Sequence, residues 1–178
     1  MQIRNIDLLE IEADVIVQQC NCVTVRPHGL SANISERFPY ADLYGKRTSQ
    51  SRNFATKETR SIPGTCVLAK PEAGVHGPIV ACLMGQVAPG KCGSWAAKYK
   101  VNHEDDSSEM RQIYFKSALH QLADLSIASD WSQIAFPFNI GGGLAGGYWP
   151  TYPDMLREFD SVVTKNGIQV FVCKREQM

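Results

Sequence analysis

The sequence predicts an α/β fold over one domain, residues 1–178, with a mixed and largely parallel central sheet of about six strands between layers of helix. Three observations lead there. Short apolar runs rich in β-branched residues recur along the chain, segments of helical periodicity alternate with them, and a glycine-rich stretch stands between one such run and a helix. Parallel neighbours need crossover connections, which the helical segments supply. Ligands of such folds bind beyond the carboxyl ends of the strands.

Taken from the N-terminus, Ile3 marks a short first strand. Residues 14–20 are β-branched and apolar at their start, as a buried strand requires. A helix over 30–38 begins directly after Gly29 and stops before Pro39, because the residue preceding a proline is disfavoured in helical conformation. Strand character returns at 66–68 and 78–84. Met110, Tyr114, Ala118, Leu122 and Leu125 then form the apolar stripe of a core-facing helix, with polar groups from Asp105 to Ser108 to cap its start. A strand over 133–138 precedes a helix that starts near Pro153, runs through Leu156, Phe159 and Val163, and stops at Asn166-Gly167, where glycine takes the left-handed conformation. Residues 168–173 complete the sheet. Two polar stretches, 45–63 and 87–108, read as surface insertions. Among their cations, Lys46, Arg47, Arg52, Lys98 and Lys100 suit either a solvated face or contacts along a polymer.

Apolar residues make up 44% of the chain and charged residues 20%, a globular composition, and no stretch approaches the roughly 20 apolar residues of a membrane span. Arg4, Asp7, Glu10 and Glu12 interrupt any signal-peptide core. The expectation is a soluble, cytoplasmic or nuclear monomer without a membrane partner. Eighteen basic and eighteen acidic side chains cancel, so any anion site must be local rather than a property of the whole surface. Cys20, Cys66, Cys82 and Cys173 fall in apolar strands, where free cysteine serves as a small buried hydrophobe. Cys20 and Cys22 lack the spacing of a zinc ribbon or redox pair, and no metal site or cofactor is expected.

Chemistry concentrates in two loops. Between Phe136 and Trp149 the segment 141–147 holds five glycines in seven positions, so main-chain N–H groups can approach an anion with no Cβ between. It lacks the Gly-Lys-Ser/Thr ending of a Walker loop and the spacing of a dinucleotide fingerprint. The second, from Cys20 to Leu30, leads from a strand end to a helix start. There the amides of Gly29 and Leu30 stand at a positive helix terminus, suited to phosphate. Asn21 offers its amide to a sugar hydroxyl, or caps a turn. His28 is a candidate acid, base or phosphate partner, or a loop histidine with no special role.

These stretches together resemble the macrodomain family. An aspartate followed seven residues later by a second acidic position and an apolar strand ending in asparagine is matched by Asp7, Asp14, Val15-Ile16-Val17 and Asn21. The later pattern of proline, a short apolar step, a small-residue phosphate loop and an aromatic is matched from Pro137 to Trp149. The resemblance implies a three-layer α/β/α fold and binding of ADP-ribose. It implies that Asp7 accepts from the adenine amino group beside a backbone contact from Leu8, that Asn21 touches the distal ribose, and that Gly29 and Leu30 border that ribose and a phosphate. Gly141, Gly142, Gly143, Leu144, Ala145 and Gly146 are implied to wrap the diphosphate. Phe171 stands where the family often places an aromatic near adenine, or is a core aromatic.

Gln19-Cys20-Asn21-Cys22 and Arg37-Phe38-Pro39-Tyr40-Ala41 most resemble the branch containing yeast ADP-ribose-1''-phosphate phosphatase and the terminal ADP-ribose glycohydrolases. Gln18 replaces a histidine of the phosphatase, Gly85 stands near a catalytic lysine of the glycohydrolase, and Ala145 replaces its aspartate. Neither catalytic set is complete. The function implied is recognition or removal of ADP-ribose on protein or nucleic acid, with Asn21 and His28 as candidate catalytic residues; phosphatase action and non-catalytic reading are the alternatives.

Overall fold

The computed structural model describes residues 1–142 and 151–175. In chain order the elements are β1 (Gln2–Arg4), β2 (Val15–Asn21), α1 (Leu30–Arg37), β3 (Ser49–Ser51), β4 (Phe54–Ala55), β5 (Cys66–Ala69), β6 (Ile79–Gln86), α2 (Ser108–Ile127), β7 (Gln133–Pro137), α3 (Thr151–Val163) and β8 (Gln169–Cys173). The central sheet has six strands in the order β1-β8-β7-β2-β6-β5. All neighbours are parallel except β5, which runs antiparallel to β6. The mixed, largely parallel sheet expected from the sequence is the observed one.

Alternation along each strand divides the core. Val15, Val17, Ile134, Phe136, Val170 and Val172 pack beneath α2 and α3. Ile16, Cys20, Val80, Cys82, Ala135 and Phe171 pack on the other side with Ile34 and Phe38 at α1. Strands buried on both faces show continuous apolar runs for this reason. Phe115 of α2 meets Tyr152 of α3 at 4.7 Å and Phe136 of β7 meets Phe159 of α3 at 5.3 Å, both edge to face, tying the two long helices to each other and α3 to the sheet. Burial of each such ring contributes about 1.5–3 kcal/mol.

The face that α2 buries differs from the stripe expected. Leu125 is exposed, whereas Arg111, Phe115, Ala118, Leu119, Leu122 and Ser126 turn inward. The face begins on Arg111 because that guanidinium is neutralised by Asp106 immediately before the helix; hydropathy alone places arginine outside. Ser107 caps α2 by accepting from the Met110 N–H. α3 is described from Thr151, with Pro153 in its first turn as expected, and its end is as expected, with Gly167 left-handed at φ 79°.

Neither polar stretch is merely superficial. Within 45–63, β3 and β4 form a small antiparallel ribbon, and Arg47, Phe54 and Ala55 are buried. A bridge between Thr24 and Phe54 joins this ribbon to the loop after β2. In 87–108, Ala88, Ala96, Tyr99 and Asp106 are buried. Both segments therefore brace the carboxyl end of the sheet.

At the opposite end, Asp14 Oδ2 accepts from the Ser132 N–H (2.8 Å), the Ser132 hydroxyl (3.0 Å) and the Gln133 N–H (2.9 Å). Partial burial pushes this carboxyl up, but those hydrogen bonds outweigh it and hold its pKa below the ordinary value. A depressed folded-state pKa contributes stability that is complete above the unfolded value, about 3.9, and is lost as pH falls through the folded one. Because the carboxylate is largely solvated, Asp14→Ala is expected to cost only about 1 kcal/mol near neutrality. Denaturant titrations should find that cost in full at about pH 7 and a falling one as the pH drops below about 3.9; a cost that does not change with pH refutes the assignment.

Candidate functional site

β2 is followed by α1, which packs on one face of the sheet, and β7 by α3, which packs on the other. Neighbouring strands whose connections diverge in this way leave a crevice between their carboxyl ends. Here it is an elongated cleft of two hollows, of about 340 Å³ and 480 Å³. Gly29, Leu30, Pro137 and Phe138 line both, so the hollows meet across the start of α1.

Asp7 and Leu8 lie in the second hollow with Asn33, Lys174 and Arg175. Asp7 Oδ1 accepts from the Leu9 N–H at 2.9 Å, and Oδ2 is paired with the Arg175 guanidinium. Phe171 does not line this hollow. It is 4% exposed, embedded between β1 and β7, with the Arg4 guanidinium 5.0 Å from its ring centre. The ring presented to the cleft is Phe138, 42% exposed, with Lys174 Nζ 5.1 Å from its centre. Strand periodicity separates the two, since β8 turns Phe171 into the core while Phe138 follows the end of β7.

In the middle, Gly29 opens α1 with φ 56° and ψ −129°, a conformation closed to residues bearing a Cβ. No side chain caps this helix start, and no acidic residue occupies its first turn. His28 beside it is exposed on the wall of the first hollow.

Asn21 caps a turn. Its Oδ1 accepts from the Val23 N–H, the Thr24 N–H and the Thr24 hydroxyl at 3.0, 3.0 and 3.1 Å, and Nδ2 donates to Thr24 Oγ1 at 3.0 Å. It also lines the cleft. With three donors on its oxygen, this amide can offer a ligand only N–H. Beneath it, Arg47 donates to the carbonyls of Thr24 (2.7 Å) and Asn21 (2.8 Å) and to Ser61 Oγ (2.9 Å). Across the cleft, Pro89 and Gly90 supply wall that the sequence did not flag; Arg111 holds it, donating to the Gly90 carbonyl at 2.7 Å.

The glycine loop enters the cleft through Asn139, Ile140 and Gly141. Gly141 has φ 76°, and a Cβ there would come within 2.4 Å of the Tyr152 ring, so glycine is required at this position. Gly142 follows, its N–H on the Asn139 carbonyl at 3.0 Å. Gly143, Leu144, Ala145 and Gly146 lie outside the described residues.

Gln18 is fully buried beneath α1, accepting from Ser31 Oγ at 2.7 Å and donating to Cys82 Sγ at 3.4 Å, so it faces the core. Gly85 packs against the Gln19 amide. Thiol chemistry finds no support here. Burial pushes Cys22 up to about 12, and Cys173, in the wall of the second hollow, up to about 11. The hydrogen bond to Cys82, together with burial, likewise raises Cys20. Burial also pushes the Tyr44 phenol well above its ordinary value, leaving a neutral hydroxyl that accepts from the Asn21 N–H at 3.0 Å. Among the described residues no group of three His, Cys, Asp or Glu side chains could hold a metal ion, and no helix is long and apolar enough to cross a membrane.

No family model and no curated protein matches the sequence. Solved structures do. The macrodomain of Mycobacterium tuberculosis DarG is 16% identical with a TM-score of 0.69, the match covering 98% of this chain and 97% of that one. The macrodomain of Thermus aquaticus DarG is 17% identical with a TM-score of 0.67, covering 97% of each chain. A Trypanosoma brucei macrodomain in complex with ADP-ribose is 15% identical with a TM-score of 0.59, over 96% of this chain and 62% of that one. At these identities the likeness speaks for the architecture, and the chain has the macrodomain fold.

Proposed function

We propose that this protein binds ADP-ribose along the cleft and recognises or removes it from protein or nucleic acid. The observation that carries the reading is the continuity of the two hollows across the uncapped start of α1. A dinucleotide-like ligand needs such a sequence of surfaces: an aromatic and a carboxylate at one end, backbone N–H groups and a helix terminus in the middle, and amides at the other. Asp7, Leu8 and Phe138 suit adenine, Gly29, Leu30 and Gly141 the diphosphate, and Asn21 the distal ribose. The structure in complex with ADP-ribose among the similar folds supports the same ligand.

For removal, water adds to the anomeric carbon as the bond to the carrier breaks, His28 accepting the water proton and the carrier leaving with a proton from solvent. Asn21 donates to the ribose, and the diphosphate stabilises the partly positive sugar. Gln18, turned into the core, adds nothing to the phosphatase alternative.

Calorimetry with ADP-ribose tests binding, and release of ADP-ribose from modified protein and modified DNA tests catalysis. Exposed His28 can be replaced at little cost in stability, so His28→Ala combined with Asn21→Asp, which keeps the turn-capping oxygen and removes the donor, is expected to slow release at least about 100-fold. Release at the parent rate refutes the catalytic assignment. Absence of binding by the parent refutes the whole reading.

A further inference from the structure

At the ribose end of the cleft a chain of amides has its direction dictated from within. Arg111 Nη2 (3.2 Å) and Gln86 Nε2 (2.9 Å) both donate to the Ala88 carbonyl, which can only accept. Gln86 therefore presents Oε1 to Gln19, and Gln19 must answer with Nε2, at 2.8 Å. Gln19 Oε1 is what remains. It is buried and has no hydrogen-bond partner among the described residues, although Gln19 lines the cleft beside Asn21. Flipping the Gln19 amide sets two oxygens against each other, and flipping Gln86 sets oxygen against the Ala88 carbonyl. Gly85 makes room for the arrangement, since a Cβ there would lie 2.9 Å from Oε1.

A buried acceptor without a donor costs stability, and such groups in folded proteins call for an explanation. We propose that Gln19 Oε1 accepts a hydrogen bond from a hydroxyl of the ligand beyond the diphosphate, making Gln19, beside Asn21, a residue that distinguishes ADP-ribose from ADP. The assignment rests on the ADP-ribose reading above and names a contact within it. Gln86 and Arg111 act as positioning residues: neither needs to touch the ligand to set the direction of the Gln19 amide.

The test is calorimetry of the parent, Gln19→Met and Gly85→Ala with ADP-ribose and with ADP, alongside thermal melts. Methionine fills a similar volume and removes the orphan oxygen, so Gln19→Met is expected to melt at or above the parent temperature. Its preference for ADP-ribose over ADP is expected to fall about fivefold to tenfold, the value of one hydrogen bond. Gly85→Ala displaces the amide and is expected to lower the preference in the same direction. An unchanged preference in both variants, or equal weakening of both ligands, overturns the proposal. A parent that binds neither ligand overturns the ADP-ribose reading, a result visible without any variant.

Discussion

Asp106→Ala is expected to destabilise the protein by about 3–5 kcal/mol, the cost of removing one member of a buried ion pair. Asp106 and Arg111 are 0% and 1% exposed, and their carboxylate and guanidinium meet at 2.6 and 3.0 Å. Asp106 also accepts the Val87 N–H at 2.8 Å, while Arg111 holds the Ala88 and Gly90 carbonyls. Alanine removes the Asp106 carboxylate from beside a buried guanidinium and leaves the Val87 N–H without its acceptor. Replacing both partners by apolar residues, Asp106→Leu with Arg111→Met, is expected to recover a large part of the loss, because no uncompensated charge remains. Denaturant-induced unfolding of the three proteins measures this. A single-variant loss below about 1 kcal/mol, the range of exposed pairs, contradicts the buried-pair account.

Arg47→Ala is expected to cost about 2–4 kcal/mol, since charge-assisted hydrogen bonds to buried acceptors are among the stronger ones. Arg47 is 7% exposed, and its guanidinium lies 4.7 Å from the Tyr44 ring centre. Its three acceptors come from the loop after β2 and from Ser61, so one planar fork joins two segments. Arg47→Lys is expected to restore little, because a single ammonium cannot span the same acceptors. The strand end it supports carries Asn21, so affinity for ADP-ribose, the ligand proposed above, should fall in both variants even at temperatures where they remain folded. Unaltered affinity in a folded Arg47→Ala protein separates Arg47 from the site.

How much of this was legible beforehand differs from element to element. β2, β6, β7 and β8 could be read directly because burial on both faces demands unbroken apolar runs. The end of α3 was visible in Asn166-Gly167. For α2 the helix was legible and its orientation was not: the buried face includes Arg111, whose place inside depends on Asp106. The loops at Asn21, Gly29 and Gly141 announced themselves through glycine and strand-end position, which are local properties. Phe171 and Phe138 show the limit of local reading: Phe171 lies mid-strand in β8, where the pleat turns it into the core, while Phe138 follows the end of β7 and lines the cleft.

The sequence by itself determined the α/β alternation, the parallel sheet it requires, and the loops that converge at its carboxyl end, because propensity, periodicity and turn chemistry act over a few residues. Tertiary structure alone decided that Arg47 and Arg111 are internal braces and that the Gln19 oxygen is left without a partner among the described residues. The physical reason is that each of these depends on where a charge or amide finds its partner. Those partners are the Thr24 carbonyl for Arg47, the Ala88 carbonyl for Arg111 and the Gln86 amide for Gln19, groups far apart in sequence that become neighbours only once the chain has folded.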